Sequence, residues 1–183
     1  MITIEPVLYI GISQSFFAGL LLSTKKPFTT ANKIMAAWLF LICFELVFAL
    51  INSTLLQFYS FPFITFTYGP LLYLYATHIT LQKKQFNLLN LLHFIPFLVF
   101  FAVSVWLRDY QVFRNPESFF LPDKMIPLRM VYGSSFFVSI SLYSILTFIV
   151  IRNHQRTVRD NLSYTSVAVT LNWLKIISIS FYS

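Results

Sequence analysis

The chain has 183 residues, of which 57% are hydrophobic and 19% aromatic, and only 10% are charged. Soluble domains carry about a quarter charged residues, so the composition excludes an ordinary soluble fold and indicates a protein that lies mostly in lipid. The single cysteine, Cys43, excludes a disulfide framework and a cysteine metal site. The net charge of +7 would also suit a nucleic-acid partner, but its distribution along the chain follows membrane topology instead.

The first predicted element is a membrane-spanning helix over residues 4–23, close to the length of about 20 residues that crosses a bilayer. It lacks a basic start and a cleavage motif, so we interpret it as a retained span and not as a signal peptide. Small residues recur every four positions on one face: Gly11, Ser15, Gly19 and Ser23. Such a face lets another helix approach closely, and we assign it to helix packing. We expect Gln14, near mid-depth, to face protein.

The second predicted span covers residues 34–56 and has Glu45 at its midpoint. A carboxylate at the bilayer centre is costly unless it is protonated, paired or in contact with water, which makes Glu45 a candidate functional residue. Desolvation favours the neutral acid. The alternative interpretation is therefore a protonated Glu45 that is hydrogen bonded to a neighbouring helix.

The third predicted span, residues 62–81, contains the step Gly69-Pro70 within an aromatic-rich run. Pro70 has no N–H to donate and crowds the carbonyl of Phe66, so we expect a bend and a freed acceptor there. Neighbouring helices and hydroxyl groups can satisfy such a carbonyl in lipid. The pattern suits either a kink used for packing or a bend that shapes a ligand pocket.

The fourth predicted span covers residues 88–107 and carries His93. His78 and His93 are too few for a zinc site, which needs three or four protein ligands, so hydrogen-bonded interface histidines are the favoured interpretation. Counting residues from the helix ends predicts that several polar side chains share one buried layer. These are Gln14, Glu45, Tyr73 and the Ser139/Ser141 region.

Residues 108–125 are a long connection of mixed charge, for which we predict an external loop folded as a small cap. The fifth predicted span, residues 126–151, is rich in serine, and we assign Ser135 and Ser139 to helix packing. A basic cytoplasmic linker over residues 152–173 leads to a partial sixth span, residues 174–183. Because that span stops early, we expect a fragment or a truncated reading frame.

The distribution of charge predicts the orientation. Lysine and arginine dominate the first, third and fifth connections, whereas the second is uncharged and the fourth is balanced. By the positive-inside rule the N-terminus lies outside. The predicted fold is therefore an all-α, polytopic membrane helix bundle in the cell inner membrane, with five full transmembrane helices plus the start of a sixth.

Three stretches carry a family resemblance: Tyr68-Gly-Pro-Leu-Leu-Tyr-Leu-Tyr75, His93-Phe-Ile-Pro-Phe97 and Asn172-Trp-Leu-Lys175. In order and spacing they resemble the N-terminal membrane region of bacterial membrane-bound AraC-type transcriptional regulators. In that family a multi-span domain precedes a cytoplasmic helix-turn-helix domain, to which nothing in these residues corresponds. The resemblance implies a sensor or anchor region that reaches DNA only through a missing C-terminal domain. A homodimer is compatible with it.

We therefore predict a membrane region that responds to a small-molecule or membrane signal. The candidate sensing residues are Gln14, Glu45, Tyr68, Gly69, Pro70, Tyr73 and His93. No metal and no cofactor is predicted, and the absence of a recognisable nucleophile–base or paired-carboxylate motif argues against an enzyme. Two alternatives stay open: a membrane transporter or a fragment of one, and the sensor region of a histidine kinase.

Overall fold

The computed structural model describes residues 5–51, 62–80, 87–107, 124–161 and 171–180, and every regular element within them is helical. The α-helices are α1 (Glu5–Thr24), α2 (Thr30–Ile51), α3 (Tyr68–Thr80), α4 (Ile95–Leu107), α5 (Ile126–Asn161) and α6 (Asn172–Ser180). A 3₁₀ segment, Pro62–Thr67, runs directly into α3, and a second, Leu88–Phe94, runs into α4. The predicted all-α class is confirmed for these ranges.

Four helical stretches are long and apolar enough to cross a membrane: Glu5–Thr24, Thr30–Ile51, Leu88–Trp106 and Ile126–Val158. The predicted count of five full spans plus the start of a sixth is therefore corrected to four for the described residues. Residues 62–80 are not among these four stretches, because their threonines, tyrosines and His78 lower the mean hydropathy. The last helix, α6, has only nine residues.

Helices α1 and α2 form a closely packed antiparallel pair. A Cβ atom added to Gly19 would lie 3.0 Å from the ring of Phe40, and one added to Gly11 would lie 2.9 Å from Leu46 Cδ1. Ser15, between the two glycines, is buried and donates its hydroxyl to the Gly11 carbonyl at 2.7 Å. The small-residue face of α1 thus lies against α2, where it lets the two backbones come close.

Helix α3 is enclosed by its neighbours, with α2 and α5 packed against it. Its buried residues include Gly69, Pro70, Leu72 and the continuous run 74–78. This burial accounts for the lower hydropathy of the segment, because polar side chains within a membrane bundle face neighbouring helices instead of lipid.

Two clusters of packed apolar side chains stabilise the two ends of the helix bundle. The first joins the second half of α3 to the first turns of α2, to α5 and to α6, and includes Ile34, Leu72, Ile151 and Leu174. The second joins the 3₁₀ segment before α3 to α4 and the first turns of α5, and includes Phe63, Ile64, Phe66, Phe100 and Tyr132. The rings of Phe66 and Phe100 stack at 4.8 Å between centroids.

The outer faces of the bundle are strongly apolar. Phe17 on α1, Trp106 on α4 and Phe137 on α5 are 62%, 82% and 69% exposed. Soluble proteins rarely leave such large contiguous apolar surfaces uncovered, so these faces suit hydrocarbon.

Helix α5 is longer than its predicted span. It has 36 residues, or about 54 Å at about 1.5 Å per residue, whereas a hydrocarbon core is about 30 Å thick. The predicted linker over residues 152–173 is therefore corrected in its first part, because residues 152–161 continue the helix without a break. The predicted external loop lies outside the described residues except at positions 124 and 125, as do residues 162–170 of the linker.

The α1–α2 contact yields a direct test. Gly19→Leu would drive a branched side chain into the Phe40 ring, and overpacking of this kind lowers the free energy of unfolding by about 1–3 kcal/mol. Equilibrium unfolding of the detergent-solubilised protein, followed by circular dichroism, measures the loss. Ala37→Leu is the control, because Ala37 is exposed on α2. Equal losses for the two variants would contradict the packing described here.

Candidate functional site

The Gly69–Pro70 step lies next to a change of helix type. The 3₁₀ segment ends at Thr67 and α3 begins at Tyr68, so the discontinuity predicted at Pro70 takes the form of a switch from 3₁₀ to α geometry. The Thr67 hydroxyl donates to the Ile64 carbonyl at 2.6 Å and satisfies one acceptor of the 3₁₀ turn. A tighter turn immediately before a proline is consistent with the missing proline N–H.

Gly69 of α3 lies directly against Tyr143 of α5. A Cβ atom added at Gly69 would lie 3.0 Å from both Cβ and Cδ2 of Tyr143. Such distances are shorter than ordinary van der Waals contact, so any larger residue would push the tyrosine away. The glycine of the Gly-Pro step therefore has a packing role that its sequence context alone does not reveal.

Tyr143 belongs to a cluster of three aromatic rings, the ring cluster, which also contains Tyr73 of α3 and His93 of the second 3₁₀ segment. The ring centroids of Tyr73 and His93 are 5.4 Å apart, those of Tyr73 and Tyr143 are 6.1 Å apart, and those of His93 and Tyr143 are 5.6 Å apart. Aromatic pairs attract at such separations. The cluster thus ties three segments of the chain together.

Hydrogen bonds lock the ring cluster. The Tyr143 hydroxyl donates to the His93 backbone carbonyl at 3.2 Å and lies 3.1 Å from His93 Nδ1. Both contacts are satisfied when Nδ1 carries the ring proton and donates it to the phenolic oxygen. His93 thereby holds α5 through its backbone and its side chain at once, and Nε2 is left as the acceptor.

A second polar group, the carboxyl cluster, lies on another side of α3 and contains Trp38, Glu45 and Tyr68. The Tyr68 hydroxyl donates to the Glu45 carboxyl across the α2–α3 interface. The rings of Tyr68 and Trp38 are 6.2 Å apart. The Trp38 indole N–H is buried and has no hydrogen-bond partner among the described residues. This contact agrees with the interpretation of Glu45 as a residue bonded to a neighbouring helix.

The carboxyl cluster extends toward α5 through Tyr132. This tyrosine hydrogen bonds to Thr65 and lies within electrostatic range of Glu45. Its ring contacts Phe66 and Phe100, with centroids 5.4 Å and 5.2 Å away. A change in the charge or position of Glu45 would therefore alter its electrostatic interaction with Tyr68 on α3 and with Tyr132 on α5.

The predicted single polar layer is wrong in two respects. Gln14 is exposed on α1 instead of facing protein, so it belongs to neither cluster. Glu45 and Tyr73 belong to different clusters, because Tyr68 and Tyr73 leave α3 five residues apart and in different directions. Ser139 is buried and Ser135 is half-buried on α5.

Tyr143 is the main site residue that the sequence analysis missed. Ser139, Tyr143 and Thr147 recur at four-residue intervals, and all three are buried. This polar stripe within an apolar span was the available signal, since residues four apart share a helix face.

The described residues contain no group of three or more histidine, cysteine, aspartate or glutamate side chains that could hold a metal ion. His78 is buried, with Nδ1 2.8 Å from the Leu74 carbonyl one turn earlier in its own helix. Chemically, the two clusters offer hydrogen-bonding and aromatic surfaces at helix interfaces.

No protein-family model, no curated protein and no solved structure matches this chain. The candidate site is therefore defined by its geometry alone.

The hydrogen bond between Tyr143 and His93 can be tested by Tyr143→Phe, which removes only the hydroxyl. Interhelical hydrogen bonds in membranes contribute about 0.6 kcal/mol on average and up to about 1.7 kcal/mol, and we expect a loss of unfolding free energy within that range. Equilibrium unfolding in detergent measures it. Tyr9→Phe, at an exposed tyrosine of α1, is the control and should change nothing. An unchanged free energy of unfolding for Tyr143→Phe would contradict the hydrogen bond between Tyr143 and His93.

The contact at Gly69 can be tested by a double-mutant cycle. We expect Gly69→Ala to lower the free energy of unfolding by about 1–3 kcal/mol, because its methyl group displaces Tyr143. Once displaced, Tyr143 no longer bonds His93, so Tyr143→Phe should cost less in the Gly69→Ala background than in the wild-type protein. Strictly additive losses would show that Gly69 does not position Tyr143.

Proposed function

We propose that this chain is the membrane sensory region of a transcriptional regulator similar to the bacterial membrane-bound AraC-type proteins. In this proposal the chain lies in the cell inner membrane with its N-terminus outside. The DNA-binding output would belong to sequence outside these residues.

The observation that carries the proposal is the continuity of α5. One uninterrupted helix holds Tyr143 in the ring cluster and extends to Asn161. The distance from Tyr143 to Asn161 is 18 residues, or about 27 Å of helix. A helix of this kind can carry a small shift or rotation from within the bilayer to a domain outside it.

In this proposal the protein has two arrangements, one with the hydrogen bonds of the polar clusters intact and one with them broken, and the signal shifts the equilibrium between them. Breaking the Tyr143–His93 bond weakens the attachment of α5 to the segment before α4, and displacing Tyr68 from Glu45 weakens the attachment of α3 to α2. A signal shifts such an equilibrium only if it binds the two arrangements with different affinities. Both bonds involve groups next to the Gly69–Pro70 step, so a change in the helix geometry at this step would affect both.

The first test is to determine the coding sequence downstream of codon 183. We expect a helix-turn-helix domain in the same reading frame. Histidine kinase motifs in its place would assign the sensor to a kinase. Further spans with no output domain would favour a transporter. A stop codon at this point would remove the output and refute the regulator hypothesis.

The second test uses the complete protein encoded by that frame. We expect Tyr143→Phe to change transcription from the regulated promoter by about three- to twentyfold, because a bond of the size measured between membrane helices shifts a two-state equilibrium by that factor. Glu45→Gln should also alter the response. Tyr9→Phe controls for expression and insertion, and membrane levels of each variant are compared by immunoblot. Wild-type responses from both site variants would exclude the clusters from signalling.

A further inference from the structure

One end of the bundle has a surface rich in basic side chains. Five exposed lysines and arginines from the α1–α2 turn, the first turn of α2 and the extension of α5 contribute to it. We call this set, Lys25, Lys26, Lys33, Arg152 and Arg156, the basic end. In sequence the three lysines lie more than a hundred residues before the two arginines, so only the fold brings the two groups together.

Packing shows that these residues lie at the same end. Ile34, next to Lys33, and Ile151, next to Arg152, belong to one buried apolar cluster. Arg152 and Arg156 are four residues apart on α5 and share a helix face. The described residues thus form a basic surface around one cross-section of the bundle.

This cross-section has the features of a membrane–water interface. Trp173 is partly exposed and its ring lies 5.9 Å from that of Tyr75, and such aromatic residues are typical of the interface. The polar headgroup layer is about 5–8 Å thick on each side of the hydrocarbon core. Four residues of helix, the separation of Arg152 and Arg156, cover about 6 Å, so both arginines fit within that layer.

Positive charge exceeds negative charge at the basic end. Asp160, four residues after Arg156 on α5, is the acidic residue nearest to it in sequence, and the five cations outnumber it. Glu5, at the start of α1, and Glu45, in the second half of α2, lie away from the α1–α2 turn, and Glu45 accepts its hydrogen bond from Tyr68. The net positive field at this end can therefore attract an external anion.

We infer that the basic end binds the phosphate headgroups of anionic phospholipids in preference to zwitterionic ones. Lipid is favoured over nucleic acid because the basic side chains border exposed apolar faces at headgroup depth, where lipid phosphates are already concentrated. This property is independent of the proposed regulatory output. It makes the position of α5 dependent on membrane composition, because α5 contributes both arginines.

Quenching of tryptophan fluorescence by brominated lipids tests the inference on the whole chain. The protein is reconstituted in phosphatidylcholine vesicles that contain phosphatidylglycerol, with one of the two lipids brominated on its acyl chains. A Trp106→Phe background leaves Trp173 as the exposed reporter at the basic end. A Trp173→Phe background leaves Trp106, 82% exposed near the opposite end, as an internal control.

We expect brominated phosphatidylglycerol to quench Trp173 more strongly than brominated phosphatidylcholine does, with a weaker preference at Trp106. Each basic residue near a membrane surface contributes about fivefold in affinity for anionic lipid. The double variant Arg152→Gln/Arg156→Gln should therefore lose about thirtyfold in its affinity for phosphatidylglycerol relative to phosphatidylcholine. Lys124→Gln, which replaces an exposed lysine just before α5, should leave the preference for phosphatidylglycerol unchanged. Added salt should weaken the preference of the unsubstituted chain, which does not depend on how the variants fold.

Equal quenching by the two lipids would overturn the inference, as would a preference that survives the double arginine substitution or high salt. Duplex DNA provides the remaining comparison. If the protein in purely zwitterionic vesicles binds duplex DNA, and the double variant loses that binding, the same side chains would be assigned to nucleic acid and the lipid inference would be wrong.

Discussion

The enclosure of α3 organises this bundle, and it depends on the close contact between Gly69 and Tyr143. Lipid provides no hydrophobic driving force between helices, so their association relies on close packing and on hydrogen bonds. A glycine at position 69 supplies the packing, because any Cβ atom would meet the tyrosine at 3.0 Å. The same tyrosine supplies the hydrogen bonds to His93. One contact therefore sets the distance between α3 and α5 and anchors the segment before α4.

The carboxyl cluster plays a comparable part on the α2 side of α3. A carboxyl group at this depth must be satisfied within the protein, and Tyr68 provides its partner. Two buried polar atoms, Trp38 Nε1 and Thr147 Oγ1, have no hydrogen-bond partner among the described residues. Unsatisfied groups in a low-dielectric interior cost free energy. Each of these two groups therefore offsets a part of the stability that helix packing provides.

The sequence analysis succeeded where local chemistry is decisive. Long apolar runs identified four helices, since a backbone in lipid must satisfy its own hydrogen bonds. It was wrong to count residues 62–80 as a full span, because they are not among the four stretches that are long and apolar enough to cross a membrane. It also assigned residues 152–161 to a linker, although the helix continues there. Ile151 and Val158 are buried, so packing supports the end of α5 where the polar composition does not.

The amino-acid pattern alone determined the helical class, the lipid-compatible faces and the small-residue face of α1, because each follows from residues that are neighbours on one helix. The pairing of polar groups was decided only by the tertiary structure. Glu45 meets Tyr68 across 23 positions and His93 meets Tyr143 across 50, whereas Gln14 meets neither cluster. Which of these side chains face one another depends on the rotation and the axial register of separate helices. A periodic pattern can indicate which face of a helix is buried, but the residue that lies opposite that face is fixed by contacts between distant parts of the chain.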